Sequence, residues 1–483
     1  MQYRPEIDGL RAVAVVPVIL FHAGFNTFSG GFVGVDVFFV ISGYLINSLI
    51  LKDLESGTFT LSGFYERRAR RILPALFLVM LCCIPFAWMW MPPLEFKGFG
   101  ASVISVCLFA SNILFWHQAD YFDTASNLKP LLHTWSLAVE EQFYIAFPIV
   151  LLLLWRSGQR RTFQIIAALA FASLLASEYA SRSYPSFNFF WAPTRAWELL
   201  SGSLCAFGSF KRHPARDNAL SIAGISAILL SVFWFDSNTP MPSAVALCPV
   251  IGTCLVLLFG VKGTHLASLL STRGFVGIGL VSYSAYLWHQ PLFVFSRLRL
   301  VHQPSAEIIL ALCLVTFLLA YLSWRFVEIP WRSRRSSPLA GRRRILAFSL
   351  FSGSALVVFG LAANFTAGLP ARWSAEALGL AARIRVNYGL HIDCDGALTP
   401  SINCRTGENP VVLLWGDSFA MHAADAVRAA INDTPFVQMT RSACVPILNF
   451  ALRAVPASDA NAEMPNNRAG PGNLYSTLSG VSV

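Results

Sequence analysis

Charge is scarce in this sequence. Asp, Glu, Lys and Arg make up 13% of the 483 residues, about half the ~25% of an ordinary soluble domain. That deficit excludes a chain that is soluble throughout. Among the ten cysteines no pair has zinc-finger spacing, so no metal site is expected. The N-terminus, MQYRPEIDGLRAV, lacks a small-residue cleavage site after a short apolar core. Its first apolar run therefore reads as a retained span and not as a removed signal. No internal repeat of the span pattern is visible, which argues against many transporter architectures. No histidine follows His422.

What is present is apolar. Hydrophobic residues reach 55% and mean hydropathy is +0.56. Runs such as 72–90, 143–155 and 306–324 approach or reach the roughly 20 helical residues that cross a bilayer. The chain reads as an all-α polytopic membrane bundle. The net charge of +10 is no nucleic-acid footprint, because the basic residues cluster between apolar runs, at 67–71, 156–161, 211–216 and 324–344. That is the pattern of cytoplasmic loops, and no nucleic-acid partner is expected.

The loop charges count the spans. Placing residues 325–344, the other three basic clusters and Lys262–Arg273 inside gives agreement from both ends only if 100–116 does not complete a crossing. That segment is expected to be re-entrant or to lie at the membrane surface. Ten spans result, with an eleventh, linker span at 345–363. The N-terminus is then cytoplasmic and everything after about residue 366 lies outside. There VVLLWGDSFAMHAADAVRAAI (411–431) reads as a buried strand, a tight turn and a helix, the opening of an α/β domain. The tail after it has little apolar patterning and is expected to be disordered. Seven cysteines lie in apolar runs, as small hydrophobes. Cys394 and Cys404 could close a short disulfide in an oxidising compartment.

Ionisable groups inside apolar runs are costly and so point to function. Arg11 and His22 are eleven residues apart. At 100° and 1.5 Å per residue they share one face, with His22 about 16 Å deeper. The bland alternative is a topology anchor and a satisfied histidine. Asp36 lies in GVDVFFVISGYL, close enough in the chain to approach His22 and orient it, or else to form a packing salt bridge. Arg68 and Arg71 are three apart, and their fork-shaped guanidiniums suit phosphate, or else set topology. In LLHTWSLAVEEQFYIAFP, His133, Glu140 and Tyr144 fall on one face if helical. Glu140 and Glu141 are an unusual pair at the head of a span, and a His and a Glu together share acid/base work. Tyr283, Tyr286 and His289 follow near the end of another span, where ordinary interfacial aromatics also occur.

In this order the five stretches resemble the acyltransferase 3 family of membrane acyltransferases, over about residues 4–330. The resemblance implies ten spans, an acyl-coenzyme A donor (acetyl in the family's usual chemistry) on the cytoplasmic side, and O-acylation of a surface or exported glycan such as lipopolysaccharide O-antigen. No cofactor is held permanently; the partners implied are acyl-coenzyme A, a glycan or lipid-linked saccharide acceptor, and membrane lipid. The family's arginine-x10-histidine motif falls on Arg11 and His22, its R-x-x-R motif on Arg68 and Arg71, and its acidic pair on Glu140 and Glu141. Donor binding is then expected at Arg11, Arg68 and Arg71. Catalysis is expected at His22, as base or transient acyl carrier, with Asp36, His133, Glu140 and Glu141. The setting the resemblance implies is a bacterial inner membrane, with a periplasmic C-terminal region.

The C-terminal part, 366–483, resembles the start of an SGNH-type hydrolase domain, beyond a basic linker at 331–344. Its G-D-S block falls on Gly416, Asp417 and Ser418. The family's late D-x-x-H block has no counterpart, so this partial domain is expected to be inactive, a shortened gene product. The competing reading of the whole chain is a transporter or flippase using intramembrane His, Asp and Glu as a proton relay.

Overall fold

The computed structural model describes residues 3–118, 128–208, 210–300, 304–332, 341–383, 388–396, 401–432 and 434–441. The C-terminal tail and Cys444 lie outside them. The chain divides into two compact units at Pro370.

The first unit is helical. It runs α1 (Pro5–His22), α2 (Gly34–Glu55), α3 (Leu61–Trp90), α4 (Pro93–Cys107), α5 (Ser111–His117), α6 (Thr134–Trp155), α7 (Gln159–Ser183), α8 (Pro185–Phe190) and α9 (Ala192–Cys205). It continues through α10 (Pro214–Trp234), α11 (Leu247–Phe259), α12 (His265–Leu270), α13 (Arg273–Arg299), α14 (Ala306–Ser323), α15 (Ile329–Arg332) and α16 (Arg342–Phe365). Local chemistry explains the starts. Prolines open α1, α4, α8 and α10, where their missing N–H has no helical partner to lose. Thr60 Oγ1 accepts the Gly63 N–H at 3.3 Å to cap α3, and Ser305 Oγ accepts from Ile308 at 3.4 Å to cap α14.

Seven of the described helices are long and apolar enough to cross a membrane, the expected linker span among them as α16. The protein is a multi-pass membrane protein. Four further helices were counted as spans from sequence. Of these, α9 and α11 have 14 and 13 residues. The other two, α1 and α13, line the cavities described below with polar and charged side chains. Residues 100–116 are broken: α4 ends at Cys107 and α5 begins at Ser111, with Phe109 in the left-handed region at φ 51°. Neither piece reaches eighteen residues.

Without water to drive them together, membrane helices associate through close packing and polar contacts. At the crossing of α2 and α9, a Cβ on Gly202 would lie 1.9 Å from the Val40 carbonyl oxygen, and one on Gly43 would lie 1.8 Å from that of Leu199. Asn47 adds a buried bond to the Ser203 carbonyl at 2.7 Å. Gly202→Leu therefore overpacks this crossing and is expected to destabilise the protein by about 1–3 kcal/mol, read as a lower thermal midpoint in detergent. At the crossing of α1 and α13, a Cβ on Gly279 would lie 1.8 Å from the Asp8 carbonyl oxygen. That contact lays α13 directly along α1.

The second unit contains α17 (Ala375–Arg383), β1 (Val412–Gly416), α18 (Ser418–Ala430) and β2 (Phe436–Thr440). The two strands pair in parallel, Val412 opposite Phe436, so a helical crossover between them is required. The strand, turn and helix read at 411–431 are all present. Cys394 and Cys404 form a disulfide, and Thr440 Oγ1 donates to the Cys394 carbonyl at 3.1 Å, tying that loop to β2. The seven cysteines of the apolar runs are free.

Candidate active site

Two cavities lie within the helical unit, and α1 contributes to both. The first, about 80 Å³, is lined by Arg11 of α1 together with Arg68, Arg71, Glu140, Tyr144 and Tyr283. Arg11 lies 3.4 Å from Asp8. Arg68 and Arg71 form no ion pair with a described residue, whereas the flanking Arg67 and Arg70 pair with Asp53 and Glu66. The Arg68 guanidinium lies 4.0 Å over the Tyr144 ring, and its Nε is buried without a partner. Glu140 is the one acid among the described lining residues, and its Oε1 accepts from the hydroxyls of Tyr144 and Ser42. Three guanidiniums thus face one carboxylate that is already occupied. A polyanion would supply the missing charge.

The second cavity, about 270 Å³, is lined by His22, Asp36, His133, Trp135, Arg195 and Gln290, among others. Only Val35 and Tyr286 line both cavities. The Tyr286 hydroxyl donates to the His133 carbonyl at 2.9 Å and sits 2.5 Å from Ser136 Oγ. Arg11 in one cavity and His22 in the other are therefore joined by a single helix face, and one tyrosine ring and one valine separate the two spaces.

Three imidazoles gather at the second cavity. His22 lies 5.1 Å from His289, ring centre to ring centre, and His133 lies 5.3 Å from His289. His22 Nδ1 contacts the Val18 carbonyl at 2.9 Å. A carbonyl only accepts, so Nδ1 carries the proton and the neutral ring keeps its lone pair on Nε2. His289 is held the same way, Nδ1 to the Tyr286 carbonyl at 2.6 Å. Arg297 donates to the His22 carbonyl at 2.7 Å and pins the end of α1. No group of three or more metal-ligating side chains is poised for a metal among the described residues.

Several sequence-based roles change here. Asp36 does not orient His22. Its carboxylate takes the Arg195 Nη1 at 2.7 Å, and Glu198 shares the same nitrogen at 3.0 Å, so the packing salt bridge is what forms. His133 and Glu140 do not work as a pair. The residues lie on one stretch of chain, but His133 precedes α6 and opens on the second cavity while Glu140 opens on the first. Glu141 lines neither and is buried, with Oε1 lacking a hydrogen-bond partner. Tyr286 and His289 belong to the centre of the site and not to an interfacial belt. The functional candidates missed from sequence are Arg195, Glu198 and Gln290. Two charges three residues apart in the largely apolar WAPTRAWELL were a usable signal.

A family model described as an acyltransferase domain, Acyl_transf_3, matches residues 4–325. The chain belongs to the acyltransferase 3 family. A second model, the SGNH domain fused to such acyltransferase domains, matches residues 393–469. The similar curated proteins include peptidoglycan O-acetyltransferase OatA of Listeria monocytogenes, 33% identical over 349 residues, covering 68% of this chain and 56% of that protein. The putative peptidoglycan O-acetyltransferase YrhL of Bacillus subtilis is 32% identical over 351 residues, 69% and 55% of the two chains. O-acetyltransferase OatA of Staphylococcus aureus (strain NCTC 8325) is 34% identical over 350 residues, 69% and 58%. The chain spans a little over half the length of these relatives. No solved structure matches it.

In this acyltransferase 3 family chain the G-D-S block sits where a strand passes to a helix. Gly416 ends β1, Asp417 caps α18 by accepting the Phe419 N–H at 2.9 Å, and Ser418 is the first helical residue. His422 lies one turn on, and its Nδ1 takes the Ser418 carbonyl at 2.6 Å. That bond commits one ring nitrogen to the helix backbone.

Proposed function

We propose that this protein is an integral membrane O-acyltransferase that moves an acyl group, by preference acetyl, from acyl-coenzyme A to a hydroxyl of a surface or exported glycan. The observation that carries the reading is the pair of cavities. One presents three guanidiniums to a phosphate-bearing donor; the other presents His22 to an acceptor; Tyr286 and Val35 stand between them. The donor phosphates dock on Arg11, Arg68 and Arg71, and the thioester reaches toward Tyr286. His22 Nε2 takes the proton of the acceptor hydroxyl as its oxygen attacks the thioester carbonyl; the sulfur leaves and is protonated to the coenzyme thiol. If the acyl group rests first on the protein, the same Nε2 carries it. His289 packs against His22 and keeps its ring in place.

The arginine cavity and the N-terminus then face the cytoplasm of a bacterial inner membrane, crossed by ten spans and the linker span, and the second unit is periplasmic. Two of the relatives named above bear peptidoglycan in their names; for this chain peptidoglycan and lipopolysaccharide O-antigen are both acceptors within reach of the proposal. Mass spectrometry of surface glycans from cells with and without the gene identifies which gains acetyl.

Arg68→Ala and Arg71→Ala are each expected to raise the KM for acetyl-coenzyme A about ten- to a hundredfold, the worth of a charge-assisted hydrogen bond. Lysine at either position should recover part of it. Steady-state rates of coenzyme A release by the purified protein check this. Ion-coupled uptake without coenzyme A release would point to a transporter instead.

A further inference from the structure

The second cavity has a chemistry distinct from the first, and it points to a class of acceptor. Its one permanent cation among the described lining residues is Arg195. That guanidinium is already neutralised by Asp36 at 2.7 Å and Glu198 at 3.0 Å. It is also covered on its faces, 5.3 Å from the Trp135 ring and 5.1 Å from that of Phe189, and its Nε is used by the Phe189 carbonyl at 3.2 Å. Arg297, bonded to the His22 carbonyl, does not line the space. The remaining charge at the rim is Asp236, whose carboxylate accepts from the Asn238 and Thr239 N–H groups. A phosphate or carboxylate entering here finds no free counter-ion and two or more acids, an arrangement that penalises it.

The uncharged chemistry is the reverse. Phe21, Phe32, Trp135 and Phe189 supply apolar walls. Gln290 is 2% exposed, lines the cavity, and leaves its side-chain oxygen without a partner. A buried amide oxygen left unpaired is costly, and a ligand hydroxyl would satisfy it. Aromatic walls with a few convergent polar groups are the usual makeup of a small-molecule site. The volume of about 270 Å³ is enough for one sugar ring.

We infer that the second cavity is an acceptor subsite for a single uncharged pyranose ring, with Gln290 accepting one of its hydroxyls and the Asp36–Arg195–Glu198 cluster excluding acidic sugars. This rests on the acyl-transfer reading for its placement of the acceptor, but its test does not. The test uses the full chain in membrane vesicles, with Ser237, an exposed lining residue, changed to cysteine (S237C) and labelled by a membrane-impermeant maleimide; the chain without that change is the background control. A methyl hexopyranoside should slow labelling about tenfold at saturation, and the corresponding methyl hexuronoside should not. Gln290→Ala and Gln290→Met should each weaken that protection about tenfold, the worth of one neutral hydrogen bond to a buried site; Gln290→Met, of similar length and without the acceptor oxygen, carries the test if the alanine variant does not accumulate. Equal protection by the neutral and acidic sugars, no protection by either, or protection indifferent to Gln290 overturns the inference. Coenzyme A release is measured on the same vesicles. Protection without release sinks the transferase reading and keeps the sugar site; release without protection sinks the sugar site alone.

Discussion

Replacing His22 by alanine is expected to lower acyl transfer by about 10²–10⁴-fold, the span over which a positioned acid/base group acts. The geometry makes that residue hard to replace. Its Nδ1 is committed to the Val18 carbonyl, so the reactive nitrogen is Nε2. His133 and His289 lie close by, but the latter has its own Nδ1 tied to the Tyr286 carbonyl and sits deeper in α13. His289 lines neither cavity, and His133 enters the second cavity from the turn before α6 and not from α1. The expected signature is a fall in kcat with little change in the KM for acetyl-coenzyme A, because the arginine cavity is untouched. His22→Gln, which keeps a donor for the Val18 carbonyl, should be nearly as slow. Retained transfer in a correctly inserted His22→Ala protein would falsify the assignment. Single-turnover labelling with radioactive acetyl distinguishes the two chemical roles: label on wild-type protein before acceptor is added marks a carrier, and its absence marks a base.

The second large effect is on folding. Arg195 is 3% exposed and stands between Asp36 at 1% and Glu198 at 0%. Arg195→Met removes the cation and leaves two carboxylates facing each other out of water. Breaking a buried ion pair from one side costs about 3–5 kcal/mol, because a buried charge is left uncompensated. The variant is expected to be poorly recovered in membranes and to melt well below the parent in detergent. Adding Asp36→Asn and Glu198→Gln to it removes both orphaned charges and should restore most of the loss. A single variant that melts with the parent, or a triple variant that melts no higher than the single, contradicts the cluster's role in holding α2 to α9.

Much of the fold was legible because membranes impose simple rules. Apolar runs near 20 residues and basic loops can be read one segment at a time. The helix period was enough to align Arg11 with His22, and the structure places one in each cavity. Segment-by-segment reading fails where partners are remote. Asp36 and Arg195 are separated by 159 positions, and nothing near Asp36 announces that its partner is Arg195 and not His22. The same holds for the three imidazoles, which come from α1, the turn before α6, and α13. His133 and Glu140 mislead in the opposite sense: only seven residues apart in the chain, they open on different cavities. Two of the helices counted as spans, α9 and α11, are short, and each meets a facing helix through a glycine of its own, Gly202 and Gly252, where a Cβ would lie 1.9 Å and 2.7 Å from a backbone oxygen of that helix.

The wall made by Tyr286 and Val35 has an electrical consequence. Hydrocarbon about 30 Å thick normally insulates a cell from its surroundings. On the proposed reading the two cavities open to opposite sides, so between them that insulation shrinks to one aromatic ring and one aliphatic side chain, and the voltage across the membrane falls over that short gap. Whatever passes must carry no charge. On the proposed reading the acyl group satisfies this and the phosphorylated carrier does not, so the cell decorates its exterior at the cost of one thioester per event and without letting an ion through.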